Sequence, residues 1–208
     1  SYGKNAIKSL KKINSIEPID VIHLHCPLIA LTEKEILSLR ENIAPVITSL
    51  HGSWLGERDG IVAARKHKES AVWKNPNDLA ILLTAKYYSK YETAAAKASN
   101  LCVANSVSTK EDFKSRYSLP NNWNCEVIHW GVDTEMFTPS ENRNKEFRSR
   151  FGCSDDDILL LAVGRLAARK GYGSLLQAFA NVKSKFPNSR LVIVGRGHLR
   201  KRLLNQAQ

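Results

Sequence analysis

Six short apolar runs, separated by polar or helix-patterned stretches, set the limits on what this chain can fold into. They lie at 21–25, 45–50, 101–106, 125–132, 158–164 and 190–195. The fifth, Ile-Leu-Leu-Leu-Ala-Val-Gly, is almost continuously apolar, the pattern of a parallel strand covered on both faces. Helical patterns lie between the runs. Residues 1–13 place Ala6, Ile7, Leu10 and Ile13 among lysines, and Thr32 with Glu35 forms a capping box that opens a helix over 32–42. Residues 77–98, 108–117 and 172–186 are further predicted helices, the last with Leu175, Leu176, Phe179 and Val182 on one face. A short helix closes over 147–152, and another starts at His198. Strand and helix in alternation predict an α/β fold built on parallel sheets. Residues 54–76, polar and carrying tryptophans, read as an irregular surface excursion.

Residues 133–146 are polar, contain Pro139 and form the best linker, which divides the chain into 1–138 and 139–208. Two strands after that linker fall short of the usual four to six or so in a sheet. The first part lacks an obvious first strand, and the chain opens on Ser1-Tyr2-Gly3 without Met. The expectation is a chain truncated at both ends.

The 208 residues carry 31 Lys+Arg against 20 Asp+Glu, a formal +11. With 43% hydrophobic residues, wholesale disorder is excluded. No run of about 18 uncharged apolar residues predicts a membrane span, and the N-terminus has no signal-peptide core. Cys26, Cys102, Cys125 and Cys153 are dispersed, which fits reduced thiols in a cytosolic protein rather than a zinc ribbon or disulfide scaffold. A basic chain raises the question of nucleic acid. Here residues 1–138 hold 17 basic and 15 acidic side chains, and residues 139–208 hold 14 and 5. The excess is local, so a local anion site is expected instead of a nucleic-acid coat.

The segment Gly164-Arg165-Leu166-Ala167-Ala168-Arg169-Lys170-Gly171 stands where open α/β sheets bind ligands, between a strand's carboxyl end and a helix. Arg165 and Lys170 leave one loop, the following helix offers N–H donors, and glycines permit close backbone approach, which together suit a diphosphate. Alone, this is also compatible with an ordinary loop bearing surface cations. The spacing is not that of a Walker A loop. A dinucleotide enzyme is disfavoured, because Gly195-Arg196-Gly197-His198 lacks a third glycine.

Three motifs occur in order over about seventy residues. They are Gly131-Val132-Asp133 with Phe137, then Val163 to Gly171 continuing into Leu175–Phe179, then Leu191 to Gly197. Together they resemble the retaining glycosyltransferases of the GT-B fold, in the large family 4 group. Residues 20–25 and 48–52 are similar to that family's N-domain strands, whose loops face the acceptor.

The resemblance implies two Rossmann-like parallel-sheet domains, both incomplete in this chain. Residues 1–138 would be part of the acceptor-side domain and 139–208 the start of the nucleotide-sugar domain. It implies transfer of a sugar from a nucleotide-diphosphate donor to a glycan, lipid-linked or small-molecule acceptor, with retention of anomeric configuration. A non-catalytic nucleotide- or sugar-binding module of the same fold is the alternative. Arg165, Lys170 and Gly164 would hold the donor diphosphate, with no metal and no other cofactor, and His51 would be the catalytic-side histidine. The family's C-domain continues to a glutamate pair, a region this chain ends before, and the family's N-terminal glycine-rich loop does not appear in it, so these 208 residues alone are expected to be inactive. His129-Trp130 replace the Pro-Asn common before that Gly-Val-Asp turn.

Other clusters have plainer readings. His23, His25 and Cys26 lack further ligands at recognisable metal spacing. Lys8, Lys11 and Lys12 suit a solvated helix face, with docking to anionic lipid headgroups as the sharper reading and a cytoplasmic, membrane-peripheral location as its consequence. The basic side chains of 198–203 suit the polar side of a terminal helix. Tyr87, Tyr88 and Tyr91 suit packing. Of the tryptophans, Trp54 and Trp130 are the candidate sugar platforms, Trp73 and Trp123 less so.

Overall fold

The computed structural model describes residues 2–26, 30–66, 75–139 and 144–208. The eight residues 67–74, with Trp73, and the middle of the predicted linker lie outside these. The chain divides into two units, Ser1–Asp59 with Asn77–Gly131, and Gly60–Pro76 with Val132–Gln208.

In the first unit, four apolar runs become strands β1 (Ile22–Cys26), β2 (Val46–Leu50), β3 (Leu101–Ala104) and β4 (Cys125–Val127). They pair in the order β1-β2-β3-β4, every pair parallel. α1 (Tyr2–Asn14) precedes them, and between them run α2 (Glu33–Asn42), α3 (Trp54–Lys66, counted with the second unit from Gly60 on), α4 (Pro76–Ala98) and α5 (Val107–Arg116). Ile22, Leu24, Val46, Ile36 and Leu39 form one core, and Ile7 and Leu10 of α1 pack against it. Leu50, Cys102, Ala104, Phe113 and Tyr117 form a second. Each large apolar side chain so buried contributes about 1.5–3 kcal/mol. The predicted capping box is present: the Thr32 N–H donates to Glu35 Oε2 at 2.8 Å, and Thr32 Oγ1 accepts from the Glu35 N–H at 3.4 Å. Lys8, Lys11 and Lys12 are exposed on α1.

Two expectations fail here. Residues 54–66 are helical, not irregular. Ser53 Oγ accepts from the Gly56 N–H at 2.9 Å, and the Trp54 N–H donates to the Glu92 carboxylate at 3.0 Å. A side chain 38 residues away thus helps hold the start of α3. The fourth strand stops at Val127, well short of 132, because β3 ends at Ala104, whose carbonyl accepts the last ladder bond, from Ile128 at 2.9 Å.

The second unit holds α6 (Lys145–Ser149), β5 (Ile158–Val163), α7 (Tyr172–Lys185), β6 (Ser189–Val194) and α8 (Arg200–Ala207). Asn144 caps α6, so this helix begins inside the predicted linker and before 147. β5 and β6 pair in parallel, with Val163 opposite Val194. Ala162 and Ile193 pack with Leu175 and Leu176 of α7 and the buried Leu166, Tyr172, Leu199 and Leu203. The alternate residues are open: Leu161 is 54% and Val163 71% exposed. Cover on both faces of this strand is therefore not found among the described residues, since neighbours in a strand point to opposite faces and the described core engages one of them.

Candidate functional site

Two constellations stand at carboxyl ends of parallel strands, where open α/β sheets place their ligands. In the first unit, strand alternation buries Ile22 and Leu24 and turns His23 and His25 the other way. The register sets His25 opposite Ser49 and leaves His51 just past the end of β2. His23 Nε2 lies 2.7 Å from Ser49 Oγ, and His25 Nδ1 lies 2.9 Å from His51 Nε2. The rings of His25 and His51 stack at 5.2 Å and 10°, and Trp130 follows 5.5 Å from His51. A cavity of about 260 Å³ opens here, lined by Ser49, His51, Asn105, His129 and Trp130 among others.

Partial burial, reinforced by His25 and His23, holds the His51 pKa below the usual imidazole value. Burial and then His25 do the same for His23. Neutral His51 offers both an acceptor and a donor nitrogen, the state a general base or a hydroxyl-orienting group needs. The His25–His51 bond requires one ring to donate and the other to accept. Among the described residues no group of three or more His, Cys, Asp and Glu could hold a metal ion.

Ser53 and Trp54, just after His51 in the chain, join a polar network that sequence reading missed. Glu92 is fully buried, accepts the Trp54 N–H through both carboxylate oxygens, and accepts the Tyr117 hydroxyl. Burial pushes its pKa up to about 7, against the pull of those donors. Beside it Ser53 donates to Asp112 at 2.8 Å, and Arg116 binds Asp112 and Asp59. These contacts fix the residues that immediately follow His51. Only the Asp112–Arg116 pair, at helical i,i+4 spacing, is local; the other partners lie 25 to 59 residues apart, where sequence spacing carries no trace of them.

In the second unit, the predicted loop is held by its apolar residues. Leu166, Ala167 and Ala168 are buried while Arg165, Arg169 and Lys170 are exposed. Residues Ala168–Lys170 form one 3₁₀ turn, and Gly171 turns the chain into α7 at φ 68°, a conformation that favours glycine. No side chain caps the N-terminus of α7 and no acidic residue stands in its first turn. Arg165 and Lys170 make no side-chain hydrogen bond or ion pair among the described residues. A Cβ at Gly164 would stand 2.8 Å from the Tyr172 hydroxyl, so that glycine lies directly against this side chain.

The other candidates resolve individually. Trp54 stacks on Tyr88 at 5.2 Å and Trp123 donates to the Ala96 carbonyl, so both pack within the fold. Trp54 thus opens helix α3, half-buried, and does not stand in a loop. Trp130 is 67% exposed at the cavity rim. Tyr87 is exposed, with Lys90 Nζ 3.8 Å over its ring, rather than packed in a core. Leu203 is buried while Arg200, Lys201 and Arg202 of α8 are exposed, as the terminal-helix reading expects.

A family model described as Glycosyltransferase Family 4 matches residues 2–136, well over half of the chain. The chain belongs to glycosyltransferase family 4. A second model, Glycosyl transferases group 1, matches residues 143–208. With these matches, the two parallel-sheet units are those of a GT-B glycosyltransferase. An uncharacterized family relative from Methanocaldococcus jannaschii is 26% identical over 90% of this chain and 43% of its own length. The alpha-monoglucosyldiacylglycerol synthase of Acholeplasma laidlawii is 20% identical over 94% of this chain and 45% of its own. A GDP-mannose-dependent phosphatidylinositol monomannoside mannosyltransferase of Mycolicibacterium smegmatis is 34% identical over 32% of this chain and 17% of its own. This family 4 chain thus spans less than half the length of these relatives.

Proposed function

We propose that this chain serves the transfer of a sugar from a nucleoside-diphosphate donor to an acceptor hydroxyl, with retention at the anomeric carbon. Arg165 and Lys170 hold the diphosphate, and Gly164 lets the loop close on Tyr172 beside them. As the sugar–phosphate bond breaks, negative charge grows on the leaving phosphate. Two fixed cations and an uncapped helix terminus stabilise that charge most in the transition state, which is how they accelerate the step. No metal is needed for that neutralisation. His51, neutral and oriented by His25, handles the acceptor hydroxyl.

The observation that carries this reading is the pair of exposed cations, neither with a side-chain hydrogen bond or ion pair among the described residues, on a loop whose backbone is locked by buried neighbours. The test is calorimetric titration of UDP and GDP into the chain and into the double variant Arg165→Ala with Lys170→Ala. Binding should weaken by about a hundredfold or more, since each charge-assisted contact contributes about 1.5–3 kcal/mol. Unchanged binding with unchanged unfolding would end the diphosphate assignment. Binding without sugar transfer by the full-length parent protein would favour a non-catalytic module.

A lipid-linked acceptor is favoured within this reading. Two relatives are named as a monoglucosyldiacylglycerol synthase and a phosphatidylinositol monomannoside mannosyltransferase. No helix among the described residues is long and apolar enough to cross a membrane. The exposed Lys8, Lys11 and Lys12 would then dock α1 on anionic headgroups of a cytoplasmic leaflet.

A further inference from the structure

The pairing of β5 and β6 continues past both strands. Gly164 donates to the Val194 carbonyl and Leu166 to the Arg196 carbonyl, each at 2.9 Å. Val163 stands opposite Val194, so the same offset sets Arg165 opposite Arg196. Neighbouring strands lie about 4.8 Å apart, and register partners send their side chains from the same face. Leu166, on the alternate face, is buried, while Arg165 and Arg196 are both exposed. Two guanidinium groups therefore leave adjacent chain segments side by side.

Like charges directly opposite are destabilising unless something compensates them. Among the described residues no acidic side chain bonds either one. Residues 158–208 contain ten Lys+Arg and no Asp or Glu. The acidic residues Asp155, Asp156 and Asp157 stand before the amino end of β5, the far end of the strand from this loop. Arg169 and Arg202 have partners within the protein. Arg196, like Arg165 and Lys170, makes no side-chain hydrogen bond or ion pair among the described residues. The glycines flanking Arg196 explain how its segment comes so near: a Cβ on Gly195 would sit 1.8 Å from the Gly164 carbonyl oxygen, and one on Gly197 2.3 Å from that of Leu166.

We propose that Arg196 is a third cation of the anion site, pairing with Arg165 across the extended ladder to grip one phosphoryl group of a diphosphate while Lys170 takes the other. This rests on the donor-loop reading above and adds a residue to it. Planar guanidinium groups match phosphate oxygens two at a time, so a register-fixed pair sets orientation as well as charge.

The experiment compares the chain with Arg196→Gln, Arg196→Lys and Arg165→Gln, titrated calorimetrically with UDP, GDP, inorganic pyrophosphate and inorganic phosphate at fixed low salt. Arg196→Gln should weaken the three diphosphates by about tenfold and Arg196→Lys by less. Without ligand, Arg196→Gln should unfold at the same temperature or higher, because a repulsion is removed. Weakening by Arg165→Gln with no effect of Arg196→Gln would overturn the role of Arg196 and leave the donor loop standing. No weakening by either variant would overturn the donor-loop reading itself. Equal losses for phosphate and pyrophosphate would mark a general anion patch and overturn the diphosphate assignment.

Discussion

The histidine row of the first unit and the arginine pair of the second both crown parallel strands, yet they treat charge in opposite ways. His23, His25 and His51 spend polar atoms on one another and on Ser49, and partial burial lowers the pKa of His51 and His23 below the usual imidazole value. Arg165, Lys170 and Arg196 are exposed, and their side chains make no hydrogen bond or ion pair among the described residues. The first arrangement suits moving or orienting a proton. The second suits receiving an anion whose charge the protein itself does not match.

Each half of that contrast can be broken, beginning where the effect is largest. Replacing Glu92 by Ala strands the Trp54 N–H and the Tyr117 hydroxyl in the interior, and should cost about 2–4 kcal/mol in urea unfolding. Gly195→Ala places a Cβ against the Gly164 carbonyl and should cost about 1–3 kcal/mol, loosening UDP binding as the two loops part. A stable Gly195→Ala with wild-type UDP affinity would show that the loop-to-loop approach is not what shapes the anion site.

Glu92→Gln sharpens the comparison by pH. The native carboxyl titrates near 7 and the unfolded one near 4.5, so the native state binds the extra proton between those values. Stability should therefore fall as pH rises from about 4.5 to 7, with the full penalty above 7. Gln keeps an acceptor for the Trp54 N–H, and its melting temperature should lose that slope.

The histidines act with the other sign. Their native pKa values lie below 6.5, so the unfolded state binds more protons in that window, and stability should drop as pH falls below about 6.5. This smaller slope should show in the Glu92→Gln background and shrink again on adding His51→Gln. Smallest of all, Trp130→Ala should leave stability within about 0.5 kcal/mol while weakening acceptor saturation in the full-length parent protein.

How much of this was legible follows from distance along the chain. The Thr32–Glu35 box, the helices over 77–98 and 172–186, and the strand into Gly164 depend on neighbours three or four residues away. Helix α3 did not show in the pattern: Gly56, Gly60 and mixed polarity blur its periodicity, and its first N–H groups are met partly by Glu92. His51 was found by family resemblance, but its partnership with His25 needs the β1–β2 register. Arg196 sits in a motif that was noted for its glycines alone.

The sequence by itself determined the alternation of strand and helix, the family, and a loop bearing Arg165 and Lys170, because propensity, capping and motif spacing are local. Only the tertiary structure decided which ionisable groups would be neutralised and which left bare. Burial put Glu92 beside Tyr117 and Trp54, β-register stacked His25 on His51, and the run-on of β5 and β6 brought Arg196 level with Arg165. Protonation state and anion affinity depend on what stands a few ångströms away in space, and strand pairing together with helix packing brings together residues that the sequence separates by 25 to 38 positions.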